Sequence, residues 1–285
     1  MTNLLVGFDS AWTATNSGAL VGVLRSDAGT FHEFGEPEVA NYEQARDLIL
    51  RWQEEHAPAA TIIFLDQPTI VKNPKGQRPV ESIVSASVSR RRGGMQPSST
   101  SRKGMFDAEA PVWPFLTLFG GVADPLEPIY GTRVFETYPV LTIISLGWTL
   151  PDNDRPLGRL PKYNPQVKKT FATSDWRHVG ESVSEEFRLR GISELTQWAS
   201  RAAQLPSPRK QDQDRLDACL CLLGALHLIE RKECLMVGDQ QTGYIVVPHN
   251  PRLQTELDER CREIGQAPHE WVRAFRLNPG PAMNP

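Results

Sequence analysis

No hydrophobic stretch in this sequence approaches the roughly 20 residues that a bilayer-spanning helix needs, which excludes a helical membrane protein. The first residues lack a basic start, an apolar core and a small-residue cleavage site. No signal peptide is expected, and the expected location is cytoplasmic. An excess of positive charge is missing too. Lys and Arg number 31 against 34 Asp and Glu, a net charge of -3, so any contact with nucleic acid has to come from a local basic patch. Cysteine is sparse: Cys219, Cys221, Cys234 and Cys261 show no paired metal-ligand spacing and read as free thiols in a reducing compartment. Neither a Walker phosphate loop nor a dinucleotide-binding glycine fingerprint occurs, and no solenoid or propeller repeat is present.

What is present is an ordinary globular composition, 40% hydrophobic and 23% charged over 285 residues, long enough for a sizeable core. One α/β domain is expected over residues 1–276, with a disordered tail at 277–285. The organising stretch is 4–13, Leu-Leu-Val-Gly-Phe-Asp-Ser-Ala-Trp-Thr. A continuous apolar run without helical period reads as a strand buried on both faces, and Asp9 falls where it leaves the sheet. Asn16-Ser17-Gly18 suits a tight connection to a second strand at 19–24, and a third is expected at 30–34, an antiparallel opening. Residues 41–56 read as a helix: Asn41 caps it with Gln44 three residues on, and Tyr42, Ala45, Leu48, Ile49 and Trp52 share a face. Residues 61–66 repeat the first pattern and end in Asp66. A strand reached through a helix normally runs parallel to its neighbour, which brings Asp66 to the same sheet edge as Asp9. Aspartate is also an ordinary turn residue; the repetition at one edge is what argues for chemistry.

A third apolar approach to an acid is 133–136, with Pro139 breaking the run soon after Glu136 and a helix expected at 140–146. Residues 181–204 read as two short helices broken at Gly191, with Leu195, Trp198, Ala199 and Ala202 facing inward. Residues 212–229 are apolar almost all round after Asp217, the pattern of a helix buried against a sheet, and Asp214 and Asp217 share a face of its first turn. Acids at a helix start also answer the helix dipole. That account suits Asp212 and Asp214 better than Asp217, whose burial calls for a cation or donors. Gly238-Asp239 reads as a turn before an edge strand at 243–248, and 251–263 as a polar helix.

Two insertions are expected, at about 70–114 and 151–180, irregular except for a helix at 111–119 anchored by Trp113 and Phe115. Arg90, Arg91, Arg92, Arg102 and Lys103 in the first, and Lys168 and Lys169 in the second, are candidate phosphate contacts. A solvated flexible loop is the plainer account of such charge runs.

Asp9, Asp66, Glu136 and Asp217 come from separate parts of the chain. Their convergence would need a cation among them, and hard oxygen ligands select Mg²⁺ or Mn²⁺. Two such ions about 3.5–4 Å apart activate a water and stabilise the leaving oxygen in phosphodiester hydrolysis. Asp9 would bridge both, with Asp66, Glu136, Asp214 and Asp217 completing the shells.

At these residues the chain resembles the ribonuclease H-like superfamily. The resemblance implies an α/β fold with a mixed central sheet, antiparallel opening strands plus parallel strands, flanked by helices. Asp214-x-x-Asp217-Ala218 resembles the last motif of the RuvC-type Holliday-junction resolvases, with Asp214 where many of those carry His. Val-Gly-Phe-Asp9-Ser-Ala-Trp, Leu-Asp66-Gln-Pro, Phe-Glu136-Thr-Tyr-Pro and Asp-Arg-Leu-Asp217-Ala together resemble the domain-of-unknown-function 429 family of predicted nucleases, over residues 4 to about 248. This implies a metal-dependent nuclease with a nucleic-acid partner. Two alternatives stand beside it. One is a non-catalytic metal- or nucleic-acid-binding scaffold. The other is an actin-like-fold phosphotransferase, against which Ser10-Ala11-Trp12-Thr13 lacks the phosphate-loop glycine and Asp66-Gln67-Pro68 lacks a second Asp-x-Gly loop.

Overall fold

A computed structural model describes residues 2–277. The chain opens with β1 (Thr2–Asp9), β2 (Gly18–Ser26), β3 (Phe31–Glu33) and β4 (Glu38–Ala40), then crosses through α1 (Tyr42–His56) into β5 (Ala60–Asp66). Next come α2 (Pro79–Arg90), α3 (Val112–Leu118), β6 (Gly131–Glu136) and α4 (Pro139–Ser145). After α5 (Thr173–Leu189), α6 (Ser193–Ala203) and α7 (Lys210–Ile229) the chain forms β7 (Cys234–Asp239) and β8 (Gly243–Pro248). It ends with α8 (Pro251–Glu263), α9 (Pro268–Trp271) and β9 (Val272–Phe275).

The main sheet runs β3-β2-β1-β5-β6, with β4 also paired to β2. β2 is antiparallel to β1, whereas β5 runs parallel to β1 and β6 parallel to β5. The fold is therefore α/β with a mixed sheet flanked by helices. Alternation along β1 sends Leu4, Val6 and Phe8 into an apolar layer shared with α1 and α3, and Leu5 into the layer on the α7 side. Asp9 continues the Leu5–Gly7 series, and Asp66 continues that of Ile62 and Phe64, so both acids belong to the α7 face.

Two glycines let α7 lie directly on the sheet. A Cβ at Gly7 would stand 2.1 Å from the Ala218 carbonyl oxygen and 2.4 Å from the Leu222 nitrogen, and one at Gly224 would stand 2.7 Å from the Phe64 ring. α7 thus crosses β1 and β5 at their carboxyl ends, which is what carries Asp217 to Asp9. The capping box expected for α1 is formed, with Asn41 Oδ1 accepting from the Gln44 N–H at 2.9 Å and Gln44 Oε1 accepting from the Asn41 N–H at 3.0 Å.

Several expectations are corrected. The first insertion is not irregular throughout: α2 occupies 12 of its residues, and the loop beyond it is tied down by Ser98 N–H to Glu81 at 3.0 Å and by Asn73 to the Ser98 carbonyl at 2.8 Å. The second ends earlier than expected, because Trp176, Val179 and Val183 already bury the first turns of α5. Gly238 and Asp239 lie inside β7, and the turn falls at 240–242. β7 has no counterpart in the sequence reading; it centres a second sheet, β8-β7-β9, whose inner residues join the α7-side layer. Leu277, assigned to the tail, is buried against the core, while the rest of that tail, 278–285, lies outside the described residues. Among the described residues no helix is long and apolar enough to cross a membrane.

Candidate functional site

Asp9 and Asp66 are register partners across β1 and β5, one strand spacing of about 4.8 Å apart. Asp217, two turns into α7, joins them. Its two oxygens are held from different directions, Oδ1 by the Tyr163 hydroxyl at 2.7 Å and Oδ2 by the Gln213 amide at 3.0 Å. Asp214, one turn into the helix, is ion-paired with Lys210. All four acids line one cleft of about 680 Å³ at the carboxyl edge of the parallel strands.

The charges of this cluster are not balanced. Burial first, then the neighbouring Asp217 and Asp66, push the Asp9 carboxyl well above its ordinary range. Burial and Asp217 do the same to Asp66. Asp217 is pushed up to about 6 by burial, against the opposing pull of Lys210 and of its two hydrogen-bond donors. Burial works against the Lys210 ammonium, yet Asp9 and the bond to Asp214 hold its pKa above the ordinary lysine value. One ammonium therefore stands against four carboxyl groups.

Glu136 reaches the same cleft in a different state. Arg78 clamps it with Nη1 to Oε2 at 2.9 Å and Nη2 to Oε1 at 2.5 Å, the Thr69 N–H donates at 2.8 Å, and Arg78 Nε holds Glu81 at 2.8 Å. Arg78, Glu81 and Glu136 are 1%, 0% and 2% exposed. Burial raises the Glu136 pKa while Arg78 pulls it down. Glu136, expected among the ligands of a shared ion, thus lines the same cleft with Arg78 as its partner, a countercharge that the aspartates lack.

The basic candidates do not converge on the acids. Arg91 is buried, with both terminal nitrogens on Glu256 at 2.7 Å. Arg90 pairs with Glu263 at 3.4 Å, and Arg92 with Asp152 at 2.5 Å and Asp154 at 3.0 Å. Consecutive residues leaving a helix point in successive directions about 100° apart, so this run cannot form one anion-binding face. Arg102, Lys103, Lys168 and Lys169 lie outside the cleft lining. None of the seven expected phosphate contacts is among the residues lining the cleft that holds the acids.

Residues not read from the sequence complete the site. Lys210 had a usable signal, since it stands four residues before Asp214 and seven before Asp217 on one helix face. Tyr163 had none, because it comes from the second insertion. Trp12 donates its indole N–H to the Asp66 carbonyl at 3.0 Å. Behind the acids, Ser10 donates to Gln67 Oε1 at 2.6 Å, as does Tyr42, fixing the turn after β5.

Among the described residues no three His, Cys, Asp or Glu side chains form a ready-made metal site, and the Lys210 ammonium shares the space between the aspartates. The donor chemistry nevertheless fits a hard divalent cation: carboxyl groups from β1, β5 and α7 line one cleft in which Lys210 is the one Lys or Arg among the described residues. No protein-family model matches the chain, and comparison with curated proteins and with solved structures finds no match.

Proposed function

We propose that this chain is a divalent-metal-dependent phosphodiester hydrolase of ribonuclease H-like type, acting on nucleic acid or nucleotides. One observation carries the reading. Asp9 and Asp217, both buried, and the half-buried Asp66 line one open cleft with Lys210 as the one cation among its described lining residues. Mg²⁺ or Mn²⁺ held by these three carboxylates would relieve their repulsion. Such an ion supplies Lewis-acid stabilisation of a phosphoryl oxygen and an acidified water.

The remaining work falls to the chain itself. Tyr163 and Gln213 fix the Asp217 carboxylate in one orientation through its two oxygens. The β1–β5 register holds Asp9 and Asp66 side by side without side-chain adjustment. Lys210, half-exposed at the cleft, offers the ammonium that meets a non-bridging phosphate oxygen. The likeness of the Asp9, Asp66 and Asp217 motifs to the domain-of-unknown-function 429 and RuvC-type sequences supports the same reading. A non-catalytic binding scaffold is the second reading, favoured by the Lys210–Asp214 pair, which already gives the cluster one countercharge.

The test is cleavage of labelled single-strand, duplex, hybrid and branched nucleic acids with Mg²⁺ or Mn²⁺, by the native chain and by Asp9→Asn. Metal-dependent cleavage that disappears in a variant melting no lower than the native protein is expected. Absence of cleavage by folded native protein at high concentration would transfer the assignment to the scaffold.

A further inference from the structure

Trp12 lies beyond the end of β1, outside the packed sheet, at φ +63, a left-handed conformation that bulky side chains rarely adopt. It is held there twice, by its indole N–H on the Asp66 carbonyl at 3.0 Å and by a T-shaped contact with Phe106 at 5.4 Å between ring centroids. The indole remains half-exposed and forms part of the cleft wall. An aromatic ring is thus anchored on the backbone of a cluster acid, at a backbone cost that sheet packing does not require.

The charge lining of the cleft adds a second constraint. Lys210 is the one Lys or Arg side chain in it among the described residues; Arg90, Arg91 and Arg92 are paired with Glu263, Glu256, and Asp152 and Asp154. Duplex binding is dominated by basic groups that neutralise many phosphates along the backbone, and among the described residues no such row lines this cleft. A volume of about 680 Å³ lies within the range of small-ligand pockets, about 300–1,000 Å³. Two lining residues also carry spare hydrogen-bonding capacity: Ser98 Oγ and Gln213 Oε1 are buried without partners, in side chains 0% and 8% exposed.

We infer that the group this site receives is an unpaired nucleotide, its base stacked on Trp12 and its phosphodiester over the aspartates, and that a base-paired duplex is not a substrate. Stacking tolerates any base, so the preference is for unpaired chain and not for sequence. The inference rests on the proposed function for the cation that admits a phosphodiester over the aspartates, while the stacking of the base on Trp12 stands apart from it.

The experiment compares the native chain, Trp12→Phe and Trp12→Gly, using a dinucleotide, an unstructured oligonucleotide and the same oligonucleotide as a duplex. Glycine accepts φ +63 without strain, so a melting curve separates folding from recognition in Trp12→Gly. Affinity is read for all three proteins in Ca²⁺ by fluorescence anisotropy of end-labelled probes, and stacking as the quenching of native emission beyond that of Trp12→Phe; hydrolysis is read in Mg²⁺ or Mn²⁺. Saturable quenching by the unpaired probes and not by the duplex is expected. Trp12→Gly should weaken binding by about tenfold, with the loss falling on KM more than on kcat, and Trp12→Phe should recover most of it. Equal binding of dinucleotide and oligonucleotide assigns a small nucleotide as the substrate, whereas preference for the oligonucleotide assigns a strand end or loop. Quenching without hydrolysis of any probe upholds the binding mode and removes the phosphodiesterase reading. Hydrolysis of duplex as fast as single strand, or Trp12→Gly binding like the native chain, overturns the inference and leaves that reading in place.

Discussion

Two groups of buried carboxylates face one cleft, and they differ in where their countercharge comes from. Glu81 and Glu136 share the guanidinium of Arg78, which reaches both with well-formed hydrogen bonds. Asp9, Asp66 and Asp217 share only a half-exposed ammonium that is already paired with Asp214. The first group is closed; the second is left open to a cation or a proton. Both groups are carboxylates and members of both are buried, so neither property distinguishes a structural acid from a functional one. The unmatched charge does.

The largest expected effect comes from breaking the closed group. Arg78→Met strands two buried carboxyl groups without a cation and should cost about 3–5 kcal/mol, read as a fall in the urea midpoint. A midpoint close to the native one would erase the distinction between the groups. Gly7→Ala attacks the open group through its scaffold. The added Cβ meets backbone atoms of α7, which cannot rotate aside, so a loss of about 1–3 kcal/mol is expected. Because α7 carries Asp217, Mg²⁺ binding measured by calorimetry should weaken as well; unchanged Mg²⁺ affinity in a destabilised variant would detach α7 packing from the site.

The pH dependence follows from the sign of the shift. Asp217 is raised to about 6 in the fold against an ordinary value of 3.8. Between those values the folded chain keeps a proton that the unfolded chain has released. Metal-free stability therefore rises as pH falls from about 6 to about 4, and the gain disappears as pH rises through the folded value. The effect should be on the order of 2 kcal/mol. Mg²⁺ should accordingly raise the melting temperature more at pH 7 than at pH 5, and equal increments at the two pH values would contradict an open cluster. The smallest effect is expected at Arg92. Its pairs with Asp152 and Asp154 lie at the surface, so Arg92→Ala should leave both the urea midpoint and nucleic-acid affinity where they are. A drop in affinity that steepens at low salt would restore Arg92 as a phosphate contact.

The acids at β1 and β5 were legible because a doubly buried strand writes itself as an unbroken apolar run, and a carboxylate ending such a run stands out. The buried helix bearing Asp217 was legible for the same reason. α2 was not. Ser85, Ala86, Ser87 and Ser89 dilute its apolar stripe, and Arg90 to Arg92 at its end read as loop charge. β7 was hidden by brevity and by Gly238-Asp239, a pair that mimics a turn until pairing with β8 holds it extended. Arg91 looked like the residues on either side of it. Only the packing of α8 against α2 puts Glu256 beside it and turns a candidate anion contact into a buried structural pair.

Sequence alone was enough for the opening strands, β5, the shared edge of Asp9 and Asp66, and the helix that delivers Asp217, because period and hydrophobicity are local properties of the chain. Tertiary structure alone decided that Glu136 is matched and the aspartates are not. The guanidinium that neutralises Glu136 comes from 58 residues away, and electrostatic pairing depends on distance in space, which chain order does not record.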